Sequence, residues 1–324
     1  MPGERCGDGR GLVAFIFPGQ GSQYPGMGRE LSSRYEEARR VFEEADVTLG
    51  SPLSEMCFRG SPEDLALTVN TQPAVLAVSV AVLEVLRSRG ARPGVVAGHS
   101  LGEYSALVAA GSLTFRDALS LVRARGDLMQ RAVPPGAGAM AAVIGLSREA
   151  VEGCCEAARA AGAGGVEPAN INAPDQIVIS GDAGAVRRAG GLCVEAGARR
   201  VIPLKVSGPF HSRMMAPAAS AFEPEIAGVE IADPVIPVVC NVTGRPASSA
   251  AEVRTLLARQ ICSPVLWEES VKAMWQMGAR VFVEVGPGKA LTGLVRRILP
   301  EAALVAAEPA VPVEDTLEFL KGVL

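Results

Sequence analysis

The pentapeptide Gly98-His99-Ser100-Leu101-Gly102 fits the pattern G-x-S-x-G and constrains the fold more than any other segment of this 324-residue chain. It follows a short apolar run, residues 94–98, and precedes a helical stretch, residues 101–110. A strand that turns straight into a helix at a serine leaves room only for small flanking residues, and it lifts the hydroxyl onto the positive end of the helix. The plainer reading is a Gly-Ser loop that caps a helix; with strand and helix both in place, a nucleophile is preferred. The rest of the chain supplies the sheet that such a turn needs. Residues 12–17 form a buried-strand run ending at Pro18-Gly19, and helical patterns cover 34–48 and 73–89. Alternating strands and helices predict an α/β core with a parallel sheet.

Residues 137–207 read differently. Strands are expected at 139–144, 166–171, 176–180 and 200–206, with helices at 147–159 and 183–196. That βαββαβ order is the ferredoxin-like pattern. Pro134-Pro135-Gly136 and Gly208-Pro209 flank it, so it is expected to be a small subdomain inserted into a larger one made of residues 1–136 and 208–324. The α/β pattern then resumes with strands at 235–240 and 280–285, a helix near 264–277, and a proline-containing turn and short acidic helix over 307–324, where the domain is expected to be complete.

A serine nucleophile needs a base, and the chain has two histidines. His99 is adjacent to the serine, and neighbours on extended backbone point to opposite faces, so it is expected to be a packed, hydrogen-bonded elbow residue. His211 lies in a loop after the inserted unit and is the better base. An oxyanion hole needs two converging N–H groups. Leu101 supplies one, and Gln20, in the loop Phe17-Pro18-Gly19-Gln20-Gly21-Ser22-Gln23, could supply the other. That loop does not fit G-x-G-x-x-G, and Gly286-Pro287-Gly288-Lys289 does not fit a Walker loop, so both are read as tight turns.

In the helix expected over 114–132 the apolar stripe is Ala118, Leu121, Val122, Leu128, Met129 and Ala132, and Arg125 falls on it. On the opposite face Arg123 and Asp127 are spaced for an i,i+4 pair. An inward guanidinium demands a partner. It is either a carboxylate of the protein, in a buried ion pair, or a carboxylate of the substrate held by two parallel hydrogen bonds; spacing alone leaves both open.

Composition excludes several classes. Thirty-one basic against 35 acidic residues give a net charge of −4, which argues against a nucleic-acid binder. With 48% hydrophobic residues the chain can bury a large core. The longest apolar-rich stretch, 74–83, reads as too short to cross a membrane, and the N-terminal residues lack the layout of a secretory signal. Seven scattered cysteines without C-x-x-C are expected to be reduced thiols of a cytoplasmic protein.

Taken together, FPGQGSQ (17–23), NTQPA (70–74), GHSLGEY (98–104), RARGDLMQ (123–130), NINAP (170–174), PFHSRMM (209–215), SPVLW (263–267) and VEVGPGKALTGLV (283–295) resemble the malonyl-CoA:acyl carrier protein transacylase family and the acyltransferase domains of polyketide synthases. They run in order across nearly the whole chain. The resemblance implies an α/β-hydrolase-like large subdomain with the ferredoxin-like one inserted. It implies Ser100 as the acylated nucleophile, His211 as its base, and the Gln20 and Leu101 N–H groups as the oxyanion hole. Arg125 would clamp the free carboxylate of a malonyl group, with Phe210, Asn172 and Met129 in the substrate site. The family's histidine is oriented by backbone carbonyls, expected here near Leu266.

The implied reaction is ping-pong transfer from malonyl-CoA to the phosphopantetheine thiol of an acyl carrier protein, with CoA thioester as substrate and no metal or redox cofactor. Phe210 resembles the malonyl-selective pattern, whereas Gly208-Pro209 departs from the usual quartet and keeps larger extender units open. Arg187, Arg188, Arg199, Arg200 and Lys205 are either a carrier-docking face or ordinary solvated charges. A serine hydrolase, a proofreading acyl hydrolase of carrier proteins and a non-enzymatic scaffold are the alternatives. A discrete, monomeric protein is expected, serving either fatty-acid or polyketide synthesis.

Overall fold

The computed structural model describes residues 11–323; the N-terminal segment read for a targeting signal and Cys6 lie outside the described residues. Eleven strands are described: β1 (Leu12–Phe17), β2 (Val95–Gly98), β3 (Gly138–Ile144), β4 (Val166–Ala173), β5 (Gln176–Asp182), β6 (Arg200–Pro203), β7 (Val238–Cys240), β8 (Arg245–Pro246), β9 (Val265–Leu266), β10 (Ala279–Val285) and β11 (Ala303–Ala307). They form two sheets.

The larger sheet has the order β11-β10-β1-β2-β7-β8 and is parallel except for the short antiparallel β8. β1 sits near its middle, covered on both faces, which is why LVAFIF reads as a continuous apolar run rather than an alternating one. The smaller sheet has the order β6-β3-β5-β4-β9. Its first four strands are antiparallel neighbours carrying the βαββαβ connections through helices Arg148–Ala160 and Ala183–Glu195, a ferredoxin-like unit. The molecule is thus an α/β-hydrolase-like parallel-sheet layer with a ferredoxin-like layer built from a segment in the middle of the chain. β9, which comes after that segment, pairs in parallel with β4 through Asn170–Val265 and Ile171–Leu266, so the smaller sheet is completed by the larger part of the chain.

The central helix, Thr68–Ser88, begins five residues before the expected 73 and runs through Pro73. At 21 residues it is long and apolar enough by composition to cross a membrane, which corrects the reading of 74–83 as too short; 83% of its most apolar window is buried inside the protein. Pro73 has no N–H to give to the Val69 carbonyl. Arg123 Nη1 donates to that carbonyl instead, at 3.0 Å, and to Asn70 Oδ1 at 3.1 Å. Arg123 therefore does not form the expected pair with Asp127, which binds Arg131 at 2.8 Å.

Prolines also shorten two expected strands. β7 spans three residues because Pro234 and Pro237 precede it, leaving Val235 81% exposed, and β6 ends at Pro203. Helices Ala250–Gln260 and Ala290–Ile298 and strand β11 went unread in the sequence. Six cysteines among the described residues are free thiols, five of them buried.

Candidate active site

The end of β2 and the helix Gly102–Ala109 meet at Ser100, whose φ is 51°. The turn is tight enough that a Cβ on Gly98 would lie 1.8 Å from the Gly102 carbonyl carbon, and one on Gly102 would lie 2.0 Å from the Phe17 oxygen. Among the described residues the only other non-glycine residue with positive φ is His211, at 59°. Such conformations cost on the order of 1–3 kcal/mol each and persist where the surroundings over-determine them. Here they bring two side chains together: Ser100 Oγ lies 2.7 Å from His211 Nε2.

The imidazole is oriented from behind. His211 Nδ1–H donates to the Gln260 carbonyl at 2.9 Å and the Ser263 carbonyl at 3.2 Å, which leaves Nε2 free to accept the serine proton. One of the two carbonyls comes, as expected, from the segment before the tryptophan, but from Ser263 rather than Leu266, whose oxygen accepts from Ser270 Oγ as the backbone turns into the helix Trp267–Gln276. His211 is 3% exposed, and burial, with the Arg125 cation adding to it, pushes its pKa down to about 3. His99 packs at the elbow as expected, its Nε2 at 2.8 Å from Asn172 Oδ1 and its ring against Trp267.

Arg125 points inward and is 1% exposed. Gly126 permits this: a Cβ there would lie 2.9 Å from the Thr68 oxygen, so the helix Phe115–Arg131 and the start of Thr68–Ser88 lie close together. Nη1 donates to Gln72 Oε1 at 2.8 Å, and Nη2 donates to Gln260 Oε1 at 3.0 Å and to Ser100 Oγ at 3.1 Å. Nε has no partner, and among the described residues no carboxylate forms an ion pair with this guanidinium. Glu103, the carboxylate whose charge acts on it, spends one oxygen on the Asn241 N–H at 2.7 Å; burial pushes its pKa up to about 7, which weakens it as a counterion. Of the two partners open for Arg125, the protein carboxylate is absent from the site. Neutral amides orient the cation without neutralising it.

These groups face a cavity of about 190 Å³ that also touches Gln20, Leu101, Met129, Asn172 and Phe210, so all eight expected site residues share one space. Phe210 and Met129 form apolar wall, 5% and 2% exposed. The Gln20 and Leu101 N–H groups donate to no described residue. A wider groove of about 630 Å³ adjoins it at Gln20, His99, Asn172 and Leu204. The smaller cavity thus gathers a hydroxyl–imidazole hydrogen bond, two backbone N–H groups without a described partner and a fixed cation.

An acyl transferase domain family matches residues 14–319. The chain is 46% identical over 309 residues to the malonyl CoA-acyl carrier protein transacylase of Bacillus subtilis, covering 95% of this chain and 97% of the relative. Its fold superposes on an acyl carrier protein S-malonyltransferase from Vibrio cholerae with a TM-score of 0.91 and 45% identity, covering 94% of this chain and 99% of that one. The chain belongs to the malonyl-CoA:acyl carrier protein transacylase family. It is an acyltransferase by family. A further neighbour, a malonyl-transacylase solved in complex with its type II PKS acyl-carrier protein, has a TM-score of 0.90 and 42% identity, covering 96% of this chain and 99% of that one.

The sequence did not single out Gln72, Asn241, Gln260 or Glu103. Asn241 Oδ1 receives the Ser100 N–H at 2.7 Å while its Nδ2 donates to the Gly98 carbonyl at 2.6 Å, pinning both sides of the elbow. Gln72 lies in NTQPA, where its polar neighbours Asn70 and Thr71 leave it unmarked. Of the five basic residues read as a docking face, Arg187, Arg188, Arg200 and Lys205 are exposed and form no ion pair with a described residue, whereas Arg199 binds Asp175 at 2.8 Å.

Proposed function

We propose that the protein transfers a malonyl group from malonyl-CoA to the phosphopantetheine thiol of an acyl carrier protein through a malonyl-Ser100 intermediate. One observation carries the reading: a buried guanidinium without a protein carboxylate stands 3.1 Å from the hydroxyl that His211 activates. A cation so placed selects an acyl group with a free carboxylate a few atoms from its carbonyl. The relatives' names and the neighbour solved with its carrier protein support the same donor and acceptor.

In the first half-reaction His211 Nε2 takes the Ser100 proton as Oγ attacks the thioester carbon. The oxyanion is held by the Gln20 and Leu101 N–H groups. The C–S bond then breaks and the CoA sulfur leaves with the proton from His211. In the second half the carrier thiol gives its proton to His211, its sulfur attacks the acyl-serine carbonyl, and Ser100 Oγ recovers the proton on leaving. Asn172 holds His99, and Met129 and Phe210 wall the acyl pocket. The wider groove suits the thioester arm. Residues 137–207 act as the inserted small subdomain, and the buried free thiols fit a cytoplasmic location.

The test is intact-protein mass spectrometry with a panel of acyl-CoAs, then with carrier proteins. A malonyl adduct lost in Ser100→Ala and passed to the carrier is expected. Release of free malonate without carrier loading would favour a hydrolase.

A further inference from the structure

Gln260, the last residue of the helix Ala250–Gln260, is fully buried and hydrogen-bonds to Arg125, to His211 and to the backbone of Ser100. Its backbone carbonyl orients His211. Its side chain does separate work: Oε1 accepts from Arg125 at 3.0 Å, while Nε2 donates to the Ser100 carbonyl at 3.0 Å and to Asn241 Oδ1 at 3.3 Å. One rigid amide thus spans the cation and the backbone of the nucleophile. The C-terminal end of its helix also presents partial negative charge toward Arg125 and His211.

The chemistry of the residue matters as much as its position. An apolar side chain here would leave Arg125 one acceptor short in a site without water-like screening. A carboxylate would give Arg125 a permanent counterion and occupy the very charge a ligand needs. An amide accepts the hydrogen bond and leaves the charge unspent.

We propose that the Gln260 side chain is a specificity-setting positioning residue, fixing the spacing between the Arg125 guanidinium and Ser100 so that a ligand carboxylate on one delivers its thioester carbon to the other. This rests on the reading given under Proposed function and concerns the side-chain amide, which is separate from the carbonyl that orients the base. Asn241 still accepts the Ser100 N–H when the amide is removed, so the elbow keeps that anchor while the Arg125 spacing is lost.

The experiment compares malonyl-CoA with acetyl-CoA as donors for acyl-enzyme formation in the wild type, Gln260→Met and Gln260→Glu. In Gln260→Met, the ratio of kcat/KM for malonyl-CoA to that for acetyl-CoA should fall about tenfold, the effect of one charge-assisted hydrogen bond, on top of any loss common to both donors from the freed Ser100 carbonyl. In Gln260→Glu, the same ratio should also fall about tenfold, since the new carboxylate competes for Arg125, while losing the donor to Ser100 and Asn241 acts on both donors alike. Equal losses for both donors, or an unchanged ratio, would overturn the proposal. If Gln260→Met does not fold by circular dichroism, the nearly isosteric Gln260→Glu decides. A wild type that shows no preference for malonyl-CoA would instead defeat the reading of the site itself.

Discussion

The Arg125 guanidinium donates to the Ser100 hydroxyl at 3.1 Å, so the fixed positive charge of the site and its nucleophile are one hydrogen bond apart. A thioester carbon brought to Ser100 therefore has its own substituents within reach of Arg125. A carboxylate two bonds from the carbonyl fits that spacing, and a methyl group leaves the cation unanswered.

Arg125→Ala should accordingly weaken malonyl transfer far more than acetyl transfer. Removing one partner of a buried charge pair costs about 2–5 kcal/mol, a loss of roughly thirtyfold or more in kcat/KM for malonyl-CoA. Steady-state kinetics with both donors check this, and equal losses would contradict the clamp.

The pH dependence follows from His211. Its pKa is pushed down from the ordinary 6.5 to about 3, chiefly by burial, so the imidazole stays neutral and able to accept a proton well into the acid range. The kcat/KM for malonyl-CoA reports the free protein's groups and, in a Glu103→Gln background that removes the other buried group titrating near 7, should stay flat from about pH 8 down to about pH 5. An inflection near the ordinary histidine value would show that the base is not held neutral by its surroundings.

Phe210 closes one wall of the acyl cavity. Phe210→Ser should raise methylmalonyl transfer relative to malonyl by about tenfold, within the 1–3 kcal/mol that a single methyl contributes to discrimination. Competition between the two donors, read by adduct mass, measures the ratio; an unchanged ratio would refute the steric account.

Glu103 makes stability depend on pH in a direction opposite to that of a salt-bridged carboxylate. Burial raises its pKa from 4.5 to about 7, so across that window the folded protein keeps a proton that the unfolded chain has released, and stability falls as pH rises. Glu103→Gln removes this dependence. Relative to the wild type the variant should gain on the order of 3 kcal/mol between about pH 5 and pH 8. Urea unfolding at the two pH values tests it, and parallel curves would count against a neutral Glu103.

The site was legible in the sequence wherever a residue broke a pattern. Ser100 stood in a strand-turn-helix pentapeptide, His211 was one of two histidines, and Arg125 was a charge on an apolar stripe. Gln260, Gln72 and Asn241 broke nothing: neutral amides pass as ordinary polar residues until the fold shows them buried with both ends engaged. The Arg123–Asp127 pair failed because a helix-spacing rule sees only its own helix, whereas the vacant Val69 carbonyl left by Pro73 was on another. The ferredoxin-like unit was readable because its order of elements is local in sequence. Its fifth strand was not, since β9 arrives from residues 265–266, far along the chain.

That borrowed strand ties mechanics to chemistry. β9 hangs by hydrogen bonds from the smaller sheet, and by two peptide links from Ser263, whose oxygen steadies the imidazole. Any hinging of one layer away from the other would tug the base off its serine. The architecture thus makes the seam between the two layers a part of the alignment of the base, and Leu204, common to both cavities, lies where the two join.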